Sequence, residues 1–326
     1  MEATPFVLTK ENYFSEEANW KYMGSSQYKS FRNCEAQAMA SLKGEWERKT
    51  TDSMLQGKYV HAWNENVLPE FKKQNNCETD LSIKAIFESL TDEQVSILAK
   101  AFPKAFNDKS QLKKGMKKDD FLAMLNSKKE TKDTVISKLK SEFETAGNVI
   151  RVIKGDPAFM KSLEGEKEVI FTAMLFGMPW KILIDVYNKE KRRITDLKIL
   201  KGLYDKFWVH GERLPENVFE HFGYYNQIAI YPEIERLANG REDYFEPFIS
   251  VATKEKYPNI EIIHFGSKDQ PYDCFIKNRL FLIETYMPRI KDVKEGKEEP
   301  IRCEICDYCR STKKISRTTH FSDFEI

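Results

Sequence analysis

Trp180–Leu200 reads WKILIDVYNKEKRRITDLKIL. Two apolar runs flank the charged stretch NKEKRR, the pattern of a β-hairpin. Each run carries one carboxylate among apolar neighbours: Asp185 in the first, Asp196 in the second. An ionised group in such surroundings is costly unless it is paired or bound to a cation. With a four-residue loop at 188–191, Tyr187 faces Arg192, Asp185 lies opposite Ile194, and Asp196 is its diagonal neighbour on the same face. Diagonal Cβ atoms stand about 7 Å apart, a distance one bridging ion can span. Lys198, two residues past Asp196, faces the same way. A one-residue slip would scatter the set, so the arrangement depends on the loop. Two carboxylates suit Mg²⁺ or Mn²⁺, which take oxygen ligands, polarise a phosphoryl oxygen and activate water. The ammonium can orient that water and offset negative charge in the transition state.

Working outward, Val169–Phe176 precedes the hairpin across the turn GMP and completes an antiparallel meander of three strands. Phe248–Thr253 and Ile260–Phe265 read as two further strands, joined by Tyr257-Pro258-Asn259. Helices are expected from Ser25, with Ser25 or Ser26 as cap, to about Leu42; over Met54–Phe71; over Pro215–Leu237; and over Asp273–Ile290. The class is therefore α/β, a central mixed sheet flanked by helices. Residues 78–150 differ: they read as helical, Lys-rich and poor in strand signals. Between Lys104 and Glu142, 11 Lys stand against 6 acidic residues, which suits a solvated helical face. They are taken as a helical insertion within a single domain spanning 1–326.

Composition closes off other classes. With 41% hydrophobic and 32% charged residues in 326, the chain has material for a core, so wholesale disorder is excluded. The balance of 52 basic against 51 acidic residues gives no global sign of nucleic-acid binding, so any basic surface must be local. The longest apolar stretch, Val169–Ile184, is broken by Gly177, Pro179 and Lys181, and no membrane association is expected. The N-terminus lacks a signal-peptide pattern, which points to the cytoplasm. Neither G-x-x-x-x-G-K-[ST] nor G-x-G-x-x-G occurs, against a P-loop motor or a Rossmann dehydrogenase.

Three more residues extend the hairpin set. His61 ends the string G-K-Y-V-H on the second helix, and Gln227 and Tyr231, four apart, share a helix face. The order G-x-x-x-H, a strand ending I-D, then D-L-K, then Q-x-x-x-Y resembles the PD-(D/E)xK nuclease superfamily. The likeness is to RecB-like and RecE-like (exodeoxyribonuclease VIII-like) phage exonucleases, from Ser25 onward. The resemblance implies a restriction-endonuclease-like core. It makes His61, Asp185 and Asp196 metal ligands and Lys198 the catalytic lysine, with Gln227 and Tyr231 supporting the site and touching DNA. Glu65, four residues after His61, is a further candidate for the site.

Cys303, Cys306 and Cys309 form C-x₂-C-x₂-C, and Cys34 is the candidate fourth thiolate. Without a secretory pattern, such a cluster points to a metal before disulfides. The AddB-like and CRISPR-adaptation branches of the superfamily hold a [4Fe–4S] cluster between one N-terminal and three C-terminal cysteines, and this topology resembles theirs, with a shorter final gap. Zinc on four thiolates is the alternative. Either would fold the 300–326 segment back onto the N-terminal helix. Cys77 and Cys274 are read as ordinary apolar residues.

By resemblance, the protein is expected to be a Mg²⁺-dependent exonuclease of phage or prophage recombination in a bacterial host. It would resect double-stranded DNA ends for a RecT-like annealing protein, and as a homo-oligomer. The alternatives are a structure-specific or CRISPR-associated nuclease of the same fold, or a non-catalytic DNA-binding module with a zinc staple. Trp208, Tyr224 and Tyr225 are candidates for base stacking, although such aromatics more often belong to a core. Arg192, Arg193, Arg310, Lys313, Lys314 and Arg317 are candidates for phosphate contact.

Overall fold

The computed structural model describes residues 6–47, 51–74, 145–208, 214–267, 269–315, 318 and 320. Most of the 78–150 insertion, with its lysines and Cys77, lies outside them, as do His210 and Arg317.

Five strands form one sheet in the order β1 (Glu166–Leu175), β2 (Met178–Asn188), β3 (Arg193–Leu200), β6 (Glu246–Thr253), β7 (Ile260–His264). The meander β1–β2–β3 is antiparallel, β3 and β6 run parallel, and β6–β7 is antiparallel, so the sheet is mixed. A small ribbon, β4 (Lys206–Phe207) with β5 (Glu216–Asn217), stands apart.

Helices cover both faces. On one face α2 (Ser25–Asn33), α3 (Glu35–Leu42), α8 (Tyr224–Ala238) and α9 (Tyr272–Lys294) enclose Trp180, Ile182, Ile184, Tyr187 and Ile194. On the other, α4 (Asp52–Asn64), the helical stretch over 145–155 and α6 (Pro157–Ser162) cover Val186, Leu197 and Ala252. The remaining helices are short: α1 (Glu16–Lys21), α5 (Leu68–Gln74), α7 (Val218–His221) and α10 (Asp307–Ser311).

Three expected helices are divided. The first breaks at Cys34, whose extended backbone ends α2 and whose Sγ accepts from the Gln37 N–H to start α3. The second stops at Asn64, where Asn66 takes a positive φ of 62° before α5 begins. The third opens as β5 and α7, then turns through Gly223 (φ 71°) into α8. The left-handed backbone at Gly223 favours a residue without Cβ. Neither Ser25 nor Ser26 caps the first helix. Gly24 occupies that position, and no side chain accepts there.

Two buried lysines tie the N-terminal segment to this core. Lys181 Nζ donates to the Tyr13 carbonyl and to Asn19 Oδ1. Lys294 Nζ donates to the carbonyls of Asn19 and Tyr22 and to Gln27 Oε1. Their acceptors are carbonyl oxygens, so burial dominates and lowers both to about 8, Lys294 further disfavoured by Lys181. An ammonium whose folded pKa lies below its unfolded value binds fewer protons when folded, so stability rises with pH across that interval. Urea titrations are expected to show the unfolding free energy climbing by about 2 kcal/mol from pH 8 to 9, about 1 from each lysine. Lys294→Met should flatten that slope and lower stability at every pH, through the three carbonyls it strands. An unchanged slope in the variant contradicts the assignment.

Candidate active site

The hairpin loop is four residues long, as expected, but sits one position later. Asn188 pairs with Arg193, Tyr187 with Ile194 and Val186 with Thr195, and Arg192 closes the loop at φ 49°. The register is thereby shifted by two residues, which preserves the face of every side chain. Carried one step further, it sets Asp185 across from Asp196 rather than diagonal to it. The β2–β3 ladder ends before that point. Asp185 Oδ2 instead accepts the Leu197 backbone N–H at 2.8 Å, its carboxylate replacing a strand partner.

Asp196 is 1% exposed. Its Oδ1 accepts from Lys198 Nζ at 2.8 Å and from Gln227 Nε2 at 2.7 Å. Its Oδ2 is buried and accepts no hydrogen bond, although the Lys198 ammonium lies 2.7 Å away as an ion pair. Burial pushes the Asp196 carboxyl up to about 7; the Lys198 charge opposes this and Asp185 adds to it. Burial alone would lower Lys198, but the carboxylates of Asp196 and Asp185 outweigh it and hold the ammonium protonated. The Lys198 Nζ also stands 5.0 Å over the Tyr224 ring, a cation–π contact from the first turn of α8.

Around this centre the structure places the other residues unequally. His61, on α4, has Nδ1 3.9 Å from Asp185 Oδ2, a neighbour without a hydrogen bond. Gln227 reaches Asp196 directly. Tyr231, one turn along α8, is buried in the core shared with Tyr28 and Phe31 of α2. Burial, foremost, and then the nearby Tyr13, Asp196 and Asp185 keep its hydroxyl protonated. Tyr224 serves the lysine rather than standing free for a base.

Two further carboxyls adjoin the set. The β1–β2 register, which pairs Lys167 with Val186 and Val169 with Ile184, sets Glu168 across from Asp185. Glu168 has a positive φ of 55°, and the alternation of β2 changes phase here: Ile184 and Tyr187 face the same helical layer. Glu65 ends α4, and burial, then repulsion from Glu168 and Asp185, pushes it up to about 7. Glu168 escapes a reading of the sequence because strand alternation has to break for it to join; its only signal was a second acid following Glu166 at the start of an apolar run.

The pair Asp185–Asp196 offers the oxygen ligands a divalent cation takes: Asp196 keeps a buried oxygen that accepts no hydrogen bond and faces the Lys198 ammonium, and Asp185 lies beside it.

The second cluster is tighter. The sulfurs of Cys34, Cys303, Cys306 and Cys309 all lie within 4.8 Å of one another. Cys34 and Cys309 are buried, with sulfurs 3.6 Å apart, and Cys303 Sγ is 4.0 Å from Cys309 Sγ. Backbone N–H groups point at the sulfurs: Cys306 at Cys303 (3.3 Å) and Cys309 at Cys306 (3.4 Å). Against burial, the N–H groups of Ile305 and Cys306 draw the Cys303 thiol down to about 7, whereas burial raises Cys34 and takes Cys306 to about 12. One thiol thus ionises readily, and a cation is what would let the rest follow.

Residues 24–312 match the family described as a PDDEXK-like domain of unknown function (DUF3799). The chain belongs to this PDDEXK-like family. It is also similar to a crystal structure from Eubacterium rectale described as a "putative exonuclease", with 31% identity, 98% of each chain covered and a TM-score of 0.69. No curated protein matches the sequence. The mixed sheet with flanking helices is the PDDEXK-like core, and Asp185, Asp196 and Lys198 stand on its β2 and β3. Among the described residues no helix is long and apolar enough to cross a membrane.

Folded-state values near 7 for Asp196 and Glu65 lie above the ordinary carboxylate range, so without metal the fold holds extra protons between about pH 4 and 7 and loses stability across that interval as pH rises. A cation entering this PDDEXK-like site must displace those protons. Calorimetric titration with Mn²⁺ is expected to show affinity rising between pH 6 and 7, by up to about tenfold per displaced proton. Buffers of different ionisation enthalpy should report the release, and Asp196→Asn should remove most of it. Binding without proton release contradicts the placement.

Proposed function

We propose that this chain is a divalent-metal-dependent DNA exonuclease that resects linear duplex ends, and that the buried Asp196–Lys198–Gln227 set is its hydrolytic centre. The observation carrying this reading is the orphaned Asp196 oxygen beside Asp185, with an ammonium fixed next to it. Asp185 and Asp196 would hold Mg²⁺ or Mn²⁺, with His61 and Glu168 adjoining; when bound, the ion supplies a polarised phosphoryl oxygen and a more acidic water. The rest falls to the chain. Lys198, kept protonated, orients the attacking water and offsets charge gathering on the phosphoryl oxygens. Gln227 fixes the rotamer of Asp196, and Tyr231 packs α8 into the core it shares with α2. A mere binding module has no use for a desolvated carboxylate held this way.

The role in phage-type recombination, the RecT-like partner, a homo-oligomer and a cytoplasmic site in a bacterial host are part of the same proposal and rest on the family resemblance. So does a single domain over 1–326, with 78–150 inserted and 300–326 packed against the N-terminal helices. A structure-specific or CRISPR-associated nuclease of the same fold would differ in cutting closed circles or single strands.

Linear duplex DNA is expected to be degraded with Mg²⁺, and Asp196→Ala and Lys198→Ala proteins of unchanged circular dichroism should lose at least about 100-fold in rate. Gln227→Ala should lose less, since it acts through Asp196. Undiminished cleavage by either of the first two overturns the hydrolytic centre. Preference for covalently closed circles overturns the exonuclease reading alone.

For the four cysteines we favour a single tetrahedral ion, foremost zinc, over a [4Fe–4S] cluster. A Zn–S bond of about 2.3 Å puts tetrahedral thiolates about 3.8 Å apart, as these sulfurs nearly are, whereas four irons at a cluster's corners spread them wider. Anaerobically purified protein should be colourless and hold about one zinc per chain. Broad visible absorbance with iron and acid-labile sulfide would instead establish the cluster. Either metal joins α3 to α10, so Cys309→Ser should expose the C-terminal segment to protease.

A further inference from the structure

An aromatic path leaves the candidate active site and ends in solvent. It starts at Tyr224 under Lys198, passes to Phe222 (ring centroids 5.8 Å apart) and on to Phe207 (5.3 Å). Phe207 is clamped by His221, stacked flat at 4.1 Å and 5°. Phe207 also packs on the cluster formed by Leu200, Val218, Ile249 and Val251, so the β4–β5 ribbon is fixed to the sheet at this point. Alternation then turns the next side chain outward. Trp208 is 73% exposed, and Tyr204, across the bend before β4, is 80% exposed.

Two large rings held in water by an anchored ribbon have no folding role. Burying either ring would remove apolar surface from water and stabilise the fold, and the fold forgoes this. Lys201 and Lys206 are exposed beside them, with Asp205 the opposing charge between. Exposed rings with adjacent cations are the components of a stacking platform for single-stranded nucleic acid: the rings take base faces, the ammonium groups take phosphates. The ring contacts run from Lys198 through Tyr224 and Phe222 to Phe207, the residue before Trp208 in the chain.

We infer that Tyr204 and Trp208 form a base-stacking platform for an unpaired DNA strand next to the hydrolytic centre, with Lys201 and Lys206 on its phosphates. This rests on the proposed nuclease reading for its substrate class. Phe207 of the ribbon packs against Leu200, two residues beyond Lys198 on β3, so the platform stands at the end of the strand that carries Asp196 and Lys198. A paired duplex offers no base faces to these rings except at its end. The platform therefore acts on frayed ends and single-stranded tails.

The test measures binding, not cleavage, in the full chain with Ca²⁺ in place of Mg²⁺. The probes are a single-stranded oligonucleotide and a tailed duplex, each with 2-aminopurine in the unpaired part, and a relaxed closed circular duplex. Wild-type protein should change the 2-aminopurine emission as the base stacks. The Tyr204→Ala/Trp208→Ala double variant should abolish that change and weaken single-strand binding at least about tenfold, because each base–ring stack contributes a comparable factor. Tyr204→Phe and Trp208→Phe, which keep a ring, should restore both. Equal affinity of the alanine and wild-type proteins for the single strand overturns the platform. So does an equal loss on the closed circle, which would mean a general loss of DNA contact. Failure of Asp196→Ala to stop cleavage would overturn the nuclease centre and leave these binding differences standing, so the two readings fail separately.

Discussion

Asp196 sits in β3 between two apolar helical layers, almost without solvent, and the surroundings of that one carboxylate organise the site. A charge in such a place needs compensation from several directions. Lys198 supplies it from two residues along the same strand, Gln227 from α8, and the Tyr224 ring holds the lysine from above. Each helper comes from an element whose position the sheet decides. The parallel pairing of β3 with β6 buries Asp196 opposite Ile249, and α8 lies across β1, β2 and β3 so that its first two turns reach the acid. The compensation is incomplete, and the unfilled share is one carboxylate oxygen and a pKa near 7. A fold selected for stability alone would place a hydrophobic residue here. Retaining a half-satisfied acid makes sense where a cation completes the set.

The sheet contributes through its irregularities as much as through its regularity. β2 and β3 pair over three residues, after which the Asp185 carboxylate takes over the donor of Leu197. On the other side of β2, the left-handed backbone at Glu168 breaks the alternation at the same level. Asp185 is thus loosened from both neighbours at one point along the strand. A backbone freed of ladder bonds on both sides lets a carboxylate project into the gap between strands, and Glu168 and Glu65 gather at its rim.

Legibility followed the range of the forces involved. The hairpin was readable because apolar alternation and a charged loop are local, and a loop misplaced by one position moved the register by two, leaving every face intact. The Asp185–Asp196–Lys198 grouping survived for that reason. Three features were not readable. Glu168 needs a broken alternation, which no residue pattern announces. The division of the first helix at Cys34 needs a thiol acting as a cap. Without Gly or Pro at the break, Ser25–Leu42 looks continuous, and the partners that hold Cys34 extended lie some 270 residues on, at Cys303 and Cys309. Trp208 looks like core by composition. It is outside because Phe207, its neighbour, won the place against His221.

The near-equality of 52 basic and 51 acidic residues acquires a physical meaning from this arrangement. A nuclease that gripped duplex everywhere through phosphates would need a large positive excess, and its affinity would collapse with salt. Here the acids are concentrated where, on the proposed reading, they would hold a cation: Asp196 and Asp185 repel one another, and Glu65 feels Glu168 and Asp185. Two protons near neutrality and one ammonium soften that repulsion until metal arrives. On the proposed reading, attraction for DNA in the described part of the chain comes mainly from ring faces, which salt screens little, with a few lysines adding a small salt-dependent share. On that reading such a protein would discriminate by the state of the DNA, unpaired against paired, more than by its charge, which is what resection asks for at the end being consumed.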